Sequence, residues 1–117
     1  MFDQNDAELG SIADLWKMLD KRWTLQILKS MRSREVMRFS ELKRSLAGIS
    51  GTMLSDRLLE LEREGLVTKK IYGMVPPKVE YSLTASAREL EAILAEFGRW
   101  CTSRHSIFMM ASNLSVE

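Results

Sequence analysis

Residues 48–84 read GISGTMLSDRLLELEREGLVTKKIYGMVPPKVEYSLT, and this stretch contains two different periodicities. Ser50 is a residue type that caps helices, and apolar side chains recur behind it at helical spacing. Two β-rich runs, 66–72 and 78–83, then flank a turn that contains glycine and two prolines. In the second run apolar and polar residues alternate, which is typical of a half-buried strand. The stretch therefore predicts a helix followed directly by a β-hairpin.

A further helix is predicted just upstream, with Ser40 as its cap, Leu42 and Leu46 on its apolar face and Gly48 after its end. The short apolar run 36–39 before it predicts a brief strand. Two short helices joined by a glycine turn form a helix-turn-helix, and a hairpin placed behind the second helix makes it a winged helix.

The flanking segments complete this architecture with helices. Apolar spacing predicts helices at about 11–20 and 23–32, and Ser11 with Asp14 resembles a capping box. Thr84 is expected to cap a long final helix. We predict a mainly α fold with a β-hairpin wing, a single winged helix-turn-helix domain over residues 1–117. Its parts are a helix-turn-helix at about 40–64, a wing at about 66–83 and a C-terminal dimerisation helix at about 84–110.

Composition favours a soluble cytoplasmic protein of one domain. The chain has 117 residues, 45% of them hydrophobic, a formal net charge of +1 and one cysteine. No apolar run approaches the roughly 18 residues of a membrane span, so we expect no membrane association. The acidic, polar N-terminal residues 1–10 do not resemble a signal peptide, and a lone cysteine forms no intrachain disulfide.

Basic charge is concentrated in the middle of the chain, where a DNA backbone would favour it. Residues 21–57 carry nine basic and three acidic side chains, and residues 67–79 carry three lysines and no acid. Acidic residues predominate at both ends. A phosphate backbone attracts such a basic segment, although ordinary surfaces also vary in charge to this extent.

The helix predicted at about 50–64 is the one expected to enter the major groove. Small polar residues at its leading end allow close approach and hydrogen bonding, and an arginine there can pair with guanine or phosphate. Lysines on the hairpin, and basic residues near the first helix of the motif, suit the phosphate backbone. The predicted DNA contacts are Ser50, Gly51, Thr52, Ser55, Asp56, Arg57, Lys78, Arg38 and Lys43.

Catalytic, metal and cofactor chemistry is not expected. The chain has one histidine, His105, and one cysteine, so it has no Cys/His cluster for zinc. It also lacks a glycine-rich phosphate loop and a nucleophile elbow. We therefore predict no catalytic residues, no metal ligands and no cofactor.

These motifs resemble those of the HxlR-type winged-helix regulators, relatives of the MarR type. The resemblance covers about residues 15–100, and the segment VPPKVEYSLT at 75–84 is its most specific part. It implies a homodimer that binds a palindromic, double-stranded DNA operator and regulates transcription. It also implies that the first and last helices form the dimer interface, here through Ile12, Leu15, Trp16, Leu90, Leu94, Phe97, Trp100 and Cys101.

One departure from the family pattern concerns redox sensing. Many members sense oxidants through a cysteine just before the first helix, and Gly10 occupies that position here. Cys101 lies on the apolar stripe of the final helix, where we interpret it as a small buried apolar residue. Thiol sensing by the family's usual route is therefore not expected.

Two other functions remain open at this point. The first is a winged-helix protein-interaction module without specific DNA binding, which the near-neutral net charge and Asp56 favour slightly. The second is a response to a small-molecule effector of unknown identity, bound near Trp16, Trp23 and Trp100. A packed core is the simpler interpretation of these tryptophans.

Overall fold

The structure is a computed structural model that describes residues 12–116, with side chains described for residues 12–105. The described part of the first helix, α1, covers residues 12–20. The elements that follow are α2 (Thr24–Met31), α3 (Phe39–Ser45), α4 (Gly51–Arg63), β1 (Val67–Tyr72), β2 (Lys78–Leu83) and α5 (Ala85–Val116). This order confirms the predicted winged helix. Within the described residues, no helix combines the length and the apolar character needed to cross a bilayer.

The core forms where α2, α3 and α4 meet beneath the hairpin. On α4, Leu54, Leu58 and Leu61 are buried, because their spacing places them on one helical face. Burial of each such side chain contributes about 1.5–3 kcal/mol relative to full exposure. The fully buried side chains of the other elements include Ile27, Leu28, Met31, Leu42 and Val67. This packing fixes which face of α4 remains exposed.

Two glycines with positive φ set the orientation of α4. Gly48, with φ of 92°, lies in the turn between α3 and α4, and Gly65, with φ of 73°, follows α4. The amide of Gly65 donates to the Glu62 carbonyl at 3.0 Å, and the amide of Leu66 donates to the Leu61 carbonyl at 2.9 Å. These two bonds form a Schellman motif, which ends α4 directly before the wing begins.

The wing is an antiparallel hairpin whose register runs from Val67 opposite Leu83 to Tyr72 opposite Lys78. Tyr81 and Leu83 are buried, as the alternating pattern predicted. Met37 adds one isolated bridge, exchanging two backbone hydrogen bonds of 2.8 Å with Tyr81. The hairpin is therefore attached to the body at its β2 strand.

Two local predictions upstream of α3 are wrong. The run 36–39 is not a strand, because only Met37 pairs with the hairpin and Phe39 already begins α3. Ser40 is not the cap, because the helix begins one residue earlier and Arg38 precedes it. The Glu41 carboxylate accepts a 2.9 Å hydrogen bond from the backbone amide of Arg38 and so satisfies the helix start.

The final helix is anchored to the body by its first turns. The Thr84 hydroxyl accepts from the amide of Ala87 at 3.1 Å, which confirms the predicted cap. Ala87 and Glu91 are buried, and Arg32, the residue directly after α2, donates to the Glu91 carboxylate at 3.1 Å. The radius of gyration, 18.3 Å, is larger than the value of about 13 Å for a compact domain of this length.

The predicted Ser11 cap and the Gly10 position lie outside the described residues.

Candidate nucleic-acid interface

The N-terminal half of α4 presents a small polar surface. The Ser50 hydroxyl accepts a 3.0 Å hydrogen bond from the Met53 amide, so the predicted cap is present. Thr52, Ser55 and Asp56 are exposed, on the side opposite the buried leucines of α4. Their short side chains and hydrogen-bonding groups can reach base edges when a helix lies in the major groove.

Gly51 makes the leading end of this surface bare. It is the first residue of α4, and a Cβ atom built on it would have no heavy atom within 4 Å. The glycine is therefore not required by packing within the chain. Absence of a side chain there allows the helix start, with its unpaired first amides, to come close to an anion such as a phosphate.

Arg57 points away from this exposed surface. Its side chain is 14% exposed, and its Nη1 atom lies 2.7 Å from the Glu60 carboxylate. Its Nε atom donates to the backbone carbonyl of Arg22 at 2.9 Å. The Lys21 ammonium donates to the second Glu60 oxygen, also at 2.9 Å. The sequence suggested an arginine that is free to contact DNA, whereas here one of its donors connects α4 to the turn after α1 and another bonds to Glu60 within α4.

The environment of Glu60 favours its ionised form. Partial burial raises its pKa, but the hydrogen bond from Lys21 and the charge of Arg57 outweigh this effect and leave the pKa below its ordinary value. Glu60 therefore acts as the charged centre of the cluster. Sequence reasoning missed Glu60 as an anchor, although an Arg–Glu pair at i, i+3 is visible in the sequence.

A basic surface lies along α3 and the residue before it. Arg38 and Lys43, both predicted phosphate contacts, are exposed. A shallow depression beside the turn is lined by Ser40, Lys43, Arg44, Gly48 and Ile49. The hydrogen bond from the backbone amide of Arg38, aided by the Arg34 side chain, holds the pKa of Glu41 below its ordinary value, although desolvation opposes this effect. The basic residues of α3 and the leading end of α4 thus adjoin the same turn.

Lysines on the wing surround a tyrosine that sequence reasoning overlooked. The Nζ atoms of Lys70 and Lys78 lie 5.1 and 5.3 Å from the centre of the Tyr72 ring. Cations at this distance interact favourably with an aromatic ring. Tyr72 and Lys78 form the last pair of the ladder, so the predicted phosphate contact Lys78 lies at the base of the wing tip.

Comparison with known proteins assigns this arrangement to a family. The model of the HxlR-like helix-turn-helix family matches residues 18–107, which include α2, α3, α4 and the wing. The chain belongs to the HxlR-like family. This confirms the resemblance found in the sequence.

Proteins similar to this HxlR-like chain include a transcriptional regulator known by sequence and two regulators of known structure. The chain is 43% identical over 83 residues to BH0655 of Halalkalibacterium halodurans, an uncharacterized HTH-type transcriptional regulator, covering 71% of this chain and 74% of that protein. The reduced form of the transcriptional regulator YodB from B. subtilis is 32% identical, with a TM-score of 0.66 and coverage of 74% and 83%. The redox regulator HypR in its reduced form is 33% identical, with a TM-score of 0.72 and coverage of 83% and 95%.

The predicted dimer residues of this HxlR-like chain divide into two groups. Leu15, Leu90 and Leu94 are partly buried against the core of their own chain. The others are exposed, with exposed fractions of 67% for Trp16 and 60% for Phe97. This exposed group comprises Ile12, Trp16, Phe97, Trp100 and Cys101. Ile93, which is 65% exposed, belongs with them.

The structure changes the interpretation of Cys101. We expected a buried thiol, but Cys101 is exposed in the single chain, because its part of α5 extends beyond the core. Next to it, Phe97 and Trp100 stack with ring centres 5.9 Å apart. The described residues contain no group of three or more His, Cys, Asp and Glu side chains placed to hold a metal ion.

A cleft of about 720 Å3 lies between α2 and α5, away from the α4 surface. Leu25, Leu94 and Phe97 supply much of its apolar wall. Its charged lining residues are Lys29, Arg99 and the ion pair of Arg32 with Glu91. None of the three tryptophans that suggested an effector pocket lines this cleft. The effector pocket near the tryptophans therefore stays a prediction.

Proposed function

We propose that this protein is a sequence-specific DNA-binding transcriptional regulator that acts as a homodimer on a palindromic operator. The observation that carries the proposal is the exposed polar surface formed by Thr52, Ser55 and Asp56 behind Gly51, the first residue of α4. Membership of the HxlR-like helix-turn-helix family supports it. Its place of action is the cytoplasm, where the DNA of a bacterial or archaeal cell lies.

The proposed DNA contacts are of two chemical kinds: those that read bases and those that position the protein on the phosphate backbone. Thr52, Ser55 and Asp56 are the proposed base-reading residues, since hydroxyl and carboxylate groups can pair with base edges in the major groove. Arg38, Lys43 and Lys78 are the proposed phosphate contacts, which position the protein without reading sequence. Ser50 holds the start of α4 through its bond to the Met53 amide.

We assign Arg57 a different role from the base contact that its position in the sequence suggested. Its bonds to Glu60 and to the Arg22 carbonyl support a role as a positioning residue, which fixes α4 relative to the turn after α1. Such a residue affects the binding of all DNA sequences alike. A base-reading arginine would instead affect only sequences that contain its base.

The proposed dimer accounts for the exposed apolar residues of α1 and α5. Trp16, Phe97 and Trp100 each expose more than half of their surface in the single chain, at 67%, 60% and 56%. Phe97 and Trp100 stack on each other, and contiguous exposed apolar surface of this kind marks interfaces in soluble proteins. A two-fold dimer would place two α4 helices about 34 Å apart, one turn of DNA. Each half of a palindromic operator would then contact one copy.

The test is selection of binding DNA from a random pool with the purified full chain, followed by titration of the selected and scrambled duplexes. Titrations at about 50 and 200 mM salt measure the electrostatic contribution. We expect palindromic selected sites, preference over scrambled DNA and affinity that falls steeply with salt. Failure to enrich any sequence would refute the proposal and favour the protein-interaction module.

A pair of variants checks which surface binds. Thr52→Ala combined with Ser55→Ala should abolish the preference for the selected DNA. The matched control, Thr102→Ala combined with Ser103→Ala, changes the same residue types on α5 and should bind as the unmodified protein does. Equal preference in both double variants would rule out α4 as the reading helix.

A further inference from the structure

The tip of the wing is apolar and exposed. Val75 is 100% exposed and Met74 is 51% exposed, and the two prolines that follow are also exposed. Ile71, at 63% exposed, adds apolar surface on the adjoining strand. Single exposed apolar residues are common on proteins, but a group at the end of a projecting hairpin is typical of a contact surface.

Positive charge lies immediately behind this tip. Lys78 directly follows the turn, and the ammonium groups of Lys70 and Lys78 both lie over the ring of Tyr72, at 5.1 and 5.3 Å. Residues 67–79 carry three lysines and no acidic side chain. The apolar tip and the lysines behind it complement a partner with an apolar interior and an anionic rim. A groove of DNA has both features.

The length of the wing matches the distance between neighbouring DNA grooves. Six residue pairs form the ladder, which at about 3.4 Å per residue gives a length of about 17 Å. The hairpin starts directly after α4, because Leu66 completes the turn that ends this helix. One turn of DNA is about 34 Å long, so half a turn is about 17 Å. With α4 in a major groove, a hairpin of this length can reach the adjacent minor groove.

We propose that Met74 and Val75 form an apolar wedge that enters this minor groove and bends the DNA. The inference rests on the proposed function, since it requires α4 to be bound in the major groove. Apolar side chains inserted between base steps partly unstack them and bend the duplex by roughly 20–90° toward the major groove. Lys70 and Lys78 neutralise the phosphates at the edges of the widened groove.

The wedge gives the protein a second source of sequence preference. Pyrimidine–purine steps unstack more easily than other steps, so the bound DNA should contain one where the tip enters. The wedge differs in this respect from the wing lysines, whose phosphate contacts carry no sequence information.

The experiment measures DNA bending with a duplex of about 30 base pairs, taken from sites selected by the unmodified protein and labelled at its two ends for energy transfer. The test variant combines Met74→Ser with Val75→Ser, at exposed positions outside the core. The matched control is Val36→Ser, since Val36 is 42% exposed and lies outside the wing. Circular dichroism checks that all three proteins are equally folded.

We expect the unmodified protein and the control to increase energy transfer, which reports a bend. The test variant should bind the same duplex about ten-fold more weakly, as loss of the contacts that a bend permits implies, and leave it straight. A straight duplex with the unmodified protein, or an unchanged bend with the test variant, would overturn the wedge and leave the proposed function standing. If selection yields no binding site, the proposed function fails, and the wedge fails with it.

Discussion

The Nη1 atom of Arg57 lies 2.7 Å from the Oε1 atom of Glu60, one turn further along α4. The same guanidinium donates 2.9 Å to the carbonyl of Arg22, and Lys21 donates to the other oxygen of Glu60. One face of α4 is thereby connected to the turn between α1 and α2. α1 is also part of the proposed dimer interface. These contacts therefore connect α4 to the interface that would set the distance between the two α4 helices of a dimer.

The first prediction concerns Arg57. Arg57→Ala removes one hydrogen bond to the Glu60 carboxylate and one to the Arg22 carbonyl. It should therefore reduce the free energy of unfolding by about 1–2 kcal/mol in urea titrations. It should weaken binding to all DNA sequences by a similar factor, because α4 is held less firmly. Arg63→Ala, at an exposed arginine of the same helix, is the control. A loss of affinity confined to DNA with a particular guanine would show that Arg57 reads a base after all.

The second prediction concerns stability in acid. Glu60 has a folded-state pKa below its ordinary value of 4.5, so the folded chain binds its proton less readily than the unfolded chain does. This contribution to stability is complete above pH 4.5 and is lost as the pH falls through the lower folded-state value.

Thermal unfolding from pH 7 to pH 3 measures this effect. Glu60→Gln should lower the melting temperature at pH 7 and reduce its fall in acid. Glu64→Gln, at an exposed glutamate near the end of α4, should keep the unmodified profile. An unmodified acid profile in Glu60→Gln would mean that the carboxylate does not stabilise the fold.

The helix-turn-helix and the wing could be predicted because their signals are local. The period of Leu54, Leu58 and Leu61 predicts the buried face of α4, and the glycine at 65 marks its end. Val79, Tyr81 and Leu83 alternate within one strand, so their common face follows from spacing alone. The exposed face of α4, with its polar residues, follows directly from the buried one.

The break between α1 and α2 was predicted from apolar spacing and is present, but the conformation of the turn between them could not be predicted in this way. No glycine or proline occurs there, and Trp23 adopts a positive φ of 82°, which costs about 1–2 kcal/mol for a residue with a side chain. Contacts that are distant in sequence stabilise this turn. Arg57 binds the Arg22 carbonyl across 35 residues, and the Arg22 guanidinium lies 5.1 Å from the centre of the Trp23 ring. The inward orientation of Arg57 was missed for the same reason.

The third prediction concerns Lys78. Lys78→Ala should weaken binding to selected and scrambled DNA equally and reduce the slope of log affinity against log salt by about 0.9, the value for one lost phosphate contact. Lys29→Ala removes an exposed lysine from α2, away from the proposed interface, and should keep the slope. If Lys78→Ala changes the preferred sequence, its contact is with a base.

The fourth prediction concerns the dimer. Phe97 is 60% exposed and its ring stacks against Trp100, so Phe97→Glu would place a charge within the proposed interface. Sedimentation velocity should show a dimer for the unmodified protein and a monomer for the variant. The monomer should bind palindromic DNA at least about 100-fold more weakly, since binding by two linked copies is lost. Leu59→Glu, at a residue 45% exposed on α4, is the control for oligomeric state. A dimeric Phe97→Glu protein would place the interface elsewhere.

The fifth prediction separates folding from DNA binding at Gly51. An added Cβ has no heavy atom within 4 Å, and φ at this residue is not positive, so Gly51→Ala fits the fold. Alanine is the better helix former, and the variant should be as stable as the unmodified protein or more stable by up to about 1 kcal/mol. The new methyl group lies at the leading end of α4, where close approach to DNA is proposed. Affinity for selected DNA should therefore fall while stability is kept.

Urea unfolding and DNA titration of the same preparation provide the two measurements. Gly98→Ala is the control, since its added Cβ also meets no heavy atom within 4 Å, but it lies on α5, away from both α4 and the wing. Reduced affinity in Gly51→Ala with unchanged or increased stability would place the DNA against the first turn of α4. Full affinity would mean that this end of the helix stays clear of the DNA, and base reading would then have to begin at Ser55, one turn further along α4.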